Sequence, residues 1–113
     1  MDKYVIAVDI GTQSLRACIL NQRGENIDYV ESKYNKSFYT PSSISAEVDC
    51  DFYIDYFVSS VKQLVERQKD KLSSVVALSV VTIRDTIVFL KKISQNGEKE
   101  KYKPVYNIIH WAD

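Results

Sequence analysis

Near the N-terminus, Asp9-Ile10-Gly11-Thr12-Gln13-Ser14-Leu15-Arg16 brings a carboxylate, a glycine, two hydroxyls, a carboxamide and a guanidinium into one short stretch. It directly follows the apolar run Tyr4-Val5-Ile6-Ala7-Val8, so a carboxylate closes what reads as a central strand. A buried unpaired charge is costly, and such a position calls for a cation. Glycine lets a backbone come close to an anion and aim amide N–H groups at it. Thr12 and Ser14 add hydroxyl donors and Arg16 adds positive charge. Asp9 suits Mg²⁺, held directly or through water. The chemistry is phosphate and metal binding; the alternative is a plain hairpin with a polar tip. Two common nucleotide signatures are excluded, because Gly11, Gly24 and Gly97 are the only glycines. They cannot supply a loop ending in Gly-Lys-Ser/Thr or a Gly-x-Gly-x-x-Gly fingerprint.

The elements that position this stretch follow from turn signals and periodicity. Tyr4–Val8 and Leu15–Leu20 flank the Gly11 turn, and Ile27–Glu31 follows a second turn at Gly24, so three strands form an antiparallel meander. The first is apolar on both faces and is expected at the centre; the third alternates and is expected at an edge. Ser32 to Cys50 holds no period and reads as a loop. Asp49 or Asp51 offers an N-cap for one amphipathic helix over Phe52–Lys71, with Ile54, Phe57, Val58, Val61, Leu64 and Val65 as its apolar stripe. Val75–Val81 reads as a strand buried on both faces and parallel to the first. Thr86–Leu90 and Val105–Ile109 read as strands flanking a polar excursion with an Asn96-Gly97 turn. The fold class is α/β with one long helix, which leaves one sheet face uncovered. That face implies either a covering partner, self-association included, or a domain that is incomplete.

Composition narrows the partners. The 113 residues carry 15 Lys+Arg against 15 Asp+Glu, and zero formal charge argues against nucleic acid. The longest uncharged stretch, Leu72 to Ile83, is too short for a bilayer-spanning helix, so no membrane association is expected. Cys18 and Cys50 make no disulfide framework or metal cluster. Without an export signal they are expected as free thiols in a reducing cytoplasm. His110, the only histidine, has no acid or nucleophile beside it in the sequence that would mark it as catalytic.

The stretch Tyr4–Ala17 resembles the first phosphate motif of the FGGY carbohydrate kinases, within the actin-like, ribonuclease-H-like ATPases. The Asp-x-Gly-Thr core is common to that superfamily, and Ser14-x-Arg16-Ala17 narrows it. Ala77–Leu90 resembles the family's substrate-contact strand and loop, and Ile108-Ile109-His110-Trp111-Ala112-Asp113 its Trp-x-Asp segment. Glu47 and Asp49 resemble an acidic pair before the long helix, although loop ordering or helix capping explains them as well. The resemblance implies a ribonuclease-H-like mixed sheet and makes residues 1–113 the N-terminal portion of the first kinase domain, with the remainder absent.

The same resemblance implies ATP and Mg²⁺ as cofactors and a sugar or polyol as substrate. Asp9 would lie near the metal, with Gly11, Thr12, Gln13, Ser14 and Arg16 against the phosphates. Arg84 and Asp85 match a substrate-holding Arg-Glu pair, Trp111 would wall the carbon skeleton, and Asp113 would reach a hydroxyl. Ile83 departs from the pattern, where a Gln commonly precedes that Arg, so the identity of the sugar stays open. The general base would lie beyond residue 113, so the isolated chain is expected to be inactive. Two other readings remain: a non-catalytic binding module or kinase remnant, and an actin-like ATPase of chaperone or filament type.

Overall fold

The computed structural model describes residues 2–35, 47–83, 86, 88–97, 99–106 and 108–109. In chain order the elements are β1 (Tyr4–Ile10), β2 (Ser14–Asn21), β3 (Asn26–Lys33), β4 (Glu47–Val48), α1 (Cys50–Arg67), a 3-10 helix (Lys69–Ser74), β5 (Val75–Val81), β6 (Leu90–Lys92), β7 (Tyr102–Pro104) and β8 (Ile108–Ile109). The chain divides into two units, Met1–Ser37 with Tyr53–Ile83, and Phe38–Phe52 with Arg84–Asp113.

The first unit contains a four-stranded sheet in the order β3-β2-β1-β5, antiparallel except for the parallel β1–β5 pair. This is the expected mixed sheet: meander, central first strand and parallel strand all stand as read. The turn between β2 and β3 is built by its residues. The Asn21 side-chain oxygen accepts from the Arg23 and Glu25 amides at 2.9 and 3.0 Å, while Gly24 takes φ +79°. A left-handed backbone there suits glycine best, because it has no Cβ to crowd the chain.

Alternation then sorts the sheet into two faces. Ile6 lies opposite Ile19 and Val8 opposite Ala17, and these residues, with Leu15 and Val30, pack beneath Leu64 of the helix. Leu64 is fully buried, worth about 1.5–3 kcal/mol in transfer terms. The opposite face carries Asp9 and Arg16, cross-strand partners on β1 and β2, with Glu31 opposite Arg16 on β3. The parity that buries the core therefore places the polar residues on the side away from the helix.

Three expectations are corrected. The helix runs Cys50–Arg67 and its inward residues include Tyr53, Ser60 and Leu64. Ile54 and Val58, expected inward, are exposed, because the wide apolar stripe is turned so that the Ser60 hydroxyl meets that of Ser32 on β3 at 2.7 Å. The β5 strand is not buried on both faces: Val76, Leu78, Val80 and Val81 are 62, 47, 41 and 62% exposed. Its place at the sheet edge, with α1 packed over the meander, leaves even the helix-side residues Leu78 and Val80 bare.

The third correction falls in the second unit. Thr86–Leu90 and Val105–Ile109 are not strands in full; the ladder pairs Leu90 with Pro104, Lys91 with Lys103 and Lys92 with Tyr102. That register is centred on Gly97, whose φ of +85° makes the turn. Pro104 has no N–H to give and ends the regular pairing, though the Val105 amide still reaches the Phe89 carbonyl at 3.1 Å. Ile108–Ile109 pairs with Glu47–Val48, a short bridge that the loop reading missed.

Candidate functional site

The end of β1, the turn and the start of β2 form one polar surface. The Gly11 amide donates to the Ser14 carbonyl at 2.9 Å, which closes the turn. Arg16 extends back along its own face. Its Nη2 meets Asp9 Oδ2 at 2.7 Å, and its Nη1 donates to Ser14 Oγ at 3.2 Å. Ser14 Oγ in turn donates to Glu31 Oε2 at 3.2 Å. The carboxylate at the strand end thus has its cation, and the pair remains open to solvent, with side-chain exposures of 37% for Arg16 and 53% for Asp9.

Gly11 matters here through space rather than dihedral angle, since its φ lies outside the left-handed region. A methyl group at Gly11 would sit 2.7 Å from Arg16 Nη2 and 3.0 Å from the Ser14 carbonyl oxygen. The space beside Gly11 is therefore filled by the Arg16 guanidinium and the Ser14 carbonyl, a packing that only a residue without a side chain permits. Among the described residues, the Thr12 and Gln13 amides have no acceptor. Free amides at the turn, the Thr12 hydroxyl and the Arg16 guanidinium form a donor set suited to phosphate oxygens, while the single Ser14 O–H is given to Glu31. Once released by Arg16, the Asp9 carboxylate would suit Mg²⁺ in the manner usual for that ion, which keeps several waters and takes substrate phosphates as further ligands. No three His, Cys, Asp or Glu side chains cluster as a metal cage among the described residues.

The turn is also braced from the helix side. Tyr34, just past β3, gives its backbone N–H to the Gln13 carbonyl at 3.0 Å and its hydroxyl to the Gly11 carbonyl at 2.9 Å. Its ring stands edge-on to Tyr53 and Tyr56, with centroids 5.7 and 4.9 Å away. Burial, with the nearby Tyr53 adding to it, pushes the Tyr34 phenol well above the ordinary tyrosine range, so its hydroxyl stays a donor at neutral pH.

Of the sequence-derived candidates, Asp9, Gly11, Thr12, Gln13, Ser14 and Arg16 come together around one turn. Arg84, Asp85, Trp111 and Asp113 lie outside the described residues, as does His110. Asp49 caps α1, its side chain accepting from the Asp51 amide at 2.9 Å. Both cysteines are free thiols, as expected. Glu31 and Tyr34 were missed. Counting alternation forward from Val30 would have put Glu31 on the face of Arg16, and Ser32 and Tyr34 on the face of the helix. No helix among the described residues is long and apolar enough to cross a membrane.

Residues 4–113 match the profile of the FGGY family of carbohydrate kinases, N-terminal domain. The glycerol kinase of Mycoplasmopsis pulmonis is 32% identical over 112 residues, covering 99% of this chain and 20% of that protein. Glycerol kinase 5 of Xenopus laevis is also 32% identical over 112 residues, covering 99% and 22%. The chain thus spans about a fifth of the length of the curated relatives it matches. Among solved structures, Plasmodium falciparum glycerol kinase with ADP superposes with a TM-score of 0.74 at 18% identity, covering 98% of this chain and 21% of that one. A ligand-bound xylulose kinase from Lactobacillus acidophilus gives 0.65 at 21% identity, covering 98% and 20%. These similarities support the ribonuclease-H-like, actin-like ATPase fold.

Proposed function

The chain belongs to the FGGY family of carbohydrate kinases, and from that premise we propose that residues 9–16 are the ATP-phosphate and Mg²⁺ loop of a kinase acting on a sugar or polyol hydroxyl. The observation that carries this is the Gly11 turn itself, where Arg16 packs on the glycine beside Asp9 and the Thr12 and Gln13 amides have no acceptor among the described residues. Glycerol and xylulose kinases among its relatives favour a small polyol or ketose as substrate.

Phosphoryl transfer asks a protein mainly for positioning and charge neutralisation. The Thr12 and Gln13 amides and the Thr12 hydroxyl donate to phosphate oxygens, and Ser14 joins them when its single O–H swings away from Glu31. Bound Mg²⁺ would neutralise charge between those oxygens, with Asp9 as its protein ligand. Arg16 then has to release Asp9, and Ser14 and Glu31 lie on the side to which its guanidinium can turn. Exchanging one exposed ion pair for another costs little, since such pairs are worth about 0–1 kcal/mol. Arg84 and Asp85 hold substrate hydroxyls in this proposal, with Trp111 and Asp113 beside them; a guanidinium donates to hydroxyl oxygens and a carboxylate accepts their protons. The general base and adenosine contacts lie outside residues 1–113, and the enzyme works in the cytoplasm.

The test is Asp85→Ala in the protein that carries this chain. Polyol-dependent ATP turnover should disappear while nucleotide affinity stays unchanged. Undiminished polyol dependence would reject the substrate assignment. The bare apolar residues of β5 favour a second reading, self-association through the uncovered sheet; a strict monomer in sedimentation would remove it.

A further inference from the structure

Tyr34 grips the turn at two points, through its backbone N–H on Gln13 and its hydroxyl on Gly11, yet it belongs to neither β1 nor β2. The Gly11 carbonyl and the Thr12 N–H share one peptide unit, which is planar and trans. In such a unit the two groups point in opposite directions, so whatever holds the carbonyl aims the amide. Tyr34 holds the carbonyl from the helix side, where its ring lies against Tyr53 and Tyr56. The Thr12 N–H is therefore turned away from the helix, towards the face that carries Asp9 and Arg16.

We propose that the Tyr34 hydroxyl is a positioning group for the phosphate loop, fixing the Gly11–Thr12 peptide so that the Thr12 amide is set to donate to a nucleotide phosphate. The inference rests on the phosphate reading of residues 9–16. Preorganised donors act strongly because no reorientation is needed when charge arrives. A phenylalanine would keep the ring and lose the hydroxyl's bond to the Gly11 carbonyl, after which the peptide can rotate and point its carbonyl at the incoming anion. Tyr34 touches no phosphate itself; its effect passes through Thr12.

The experiment uses the isotopically labelled protein that carries residues 1–113 and follows its backbone amides by NMR during titration with Mg²⁺·ATP. In wild type the Thr12 amide should shift on titration, and in Tyr34→Phe affinity should fall about 3- to 10-fold, the scale of one hydrogen bond, with a smaller Thr12 shift. Tyr56→Phe, which removes a neighbouring hydroxyl bonded to Asn35 rather than to the loop, should bind like wild type. Equal affinity and equal Thr12 shifts in Tyr34→Phe would overturn the inference and leave the phosphate site standing. Absence of any shift in residues 9–16 of wild type would overturn the phosphate reading, and this inference with it. Should Tyr34→Phe fail to fold, wild type alone decides: without nucleotide the Thr12 amide should exchange rapidly with solvent, and slow exchange would refute the orientation.

Discussion

Gly11→Ala should separate stability from phosphate binding, and the size of each effect can be worked from the turn. The new methyl group would stand 2.7 Å from Arg16 Nη2. The guanidinium is the far end of a flexible side chain and can withdraw, breaking its 2.7 Å pair with Asp9. At the exposure of that pair, the loss is about 0.2–1 kcal/mol. The second contact, 3.0 Å to the Ser14 carbonyl, involves backbone and must open by a few tenths of an ångström. That weakens the Gly11 N–H bond to the same carbonyl, worth about 0.5–1.5 kcal/mol when intact. Because φ at Gly11 is not left-handed, alanine also restricts the unfolded chain, returning about 0.4–1 kcal/mol. The net destabilisation is about 0–2 kcal/mol, which a domain with about 5–15 kcal/mol to lose survives. Phosphate binding fares worse, because the methyl displaces the Arg16 guanidinium and opens the turn that aims the amides; Mg²⁺·ATP affinity should fall more than about tenfold, or about 1.4 kcal/mol. Urea unfolding and calorimetric titration measure the two separately. A variant that unfolds like wild type and binds Mg²⁺·ATP like wild type would refute the reasoning.

Two further outcomes concern the scaffold. Leu64→Ala removes a fully buried side chain from between the helix and the sheet, and should lower unfolding free energy by about 2–5 kcal/mol, read from the urea midpoint. Asp28 accepts from Arg67 Nε and Nη2 and from Gln68 Nε2. These bonds, Arg67 first, hold its carboxyl far below the usual range. A depressed folded-state pKa stabilises above the unfolded value, about 3.9, and the benefit fades as pH falls below it. The stability gap between wild type and Asp28→Asn should therefore be full at pH 6 and shrink from about pH 4 downward; a gap independent of pH would exclude this linkage.

Much of the meander was legible because its signals are local. Gly11 and Gly24 mark turns, and the contrast between a first strand apolar on both faces and an alternating third strand ranks centre against edge without knowledge of anything distant. The Asp9–Arg16 pairing was not read from the sequence, which set Asp9 at the metal and Arg16 against the phosphates; it follows from the register that the turn imposes. What failed was information carried between elements. The stripe on α1 is wide enough to allow several rotations, and the choice depends on Ser32 meeting Ser60. The β5 run is as apolar as a buried strand, but burial depends on what lies beside it, and here it forms an edge. Glu31 and Tyr34 went unnoticed because an isolated Glu or Tyr at the end of a strand carries no motif; their roles appear only when register places them beside the turn.

The central claim, that the Asp9–Arg16 turn binds nucleotide phosphate for transfer to a polyol, is tested most directly by ADP release from ATP. The assay uses the protein that carries residues 1–113, wild type and Asp9→Ala, over a panel from glycerol through pentuloses to gluconate. The account expects at least one of these substrates to stimulate ADP release in wild type and Asp9→Ala to reduce that stimulated rate by at least about 100-fold, the scale of losing one electrostatic group from a reaction centre. ADP release indifferent to every substrate, or stimulation that survives Asp9→Ala intact, would contradict it.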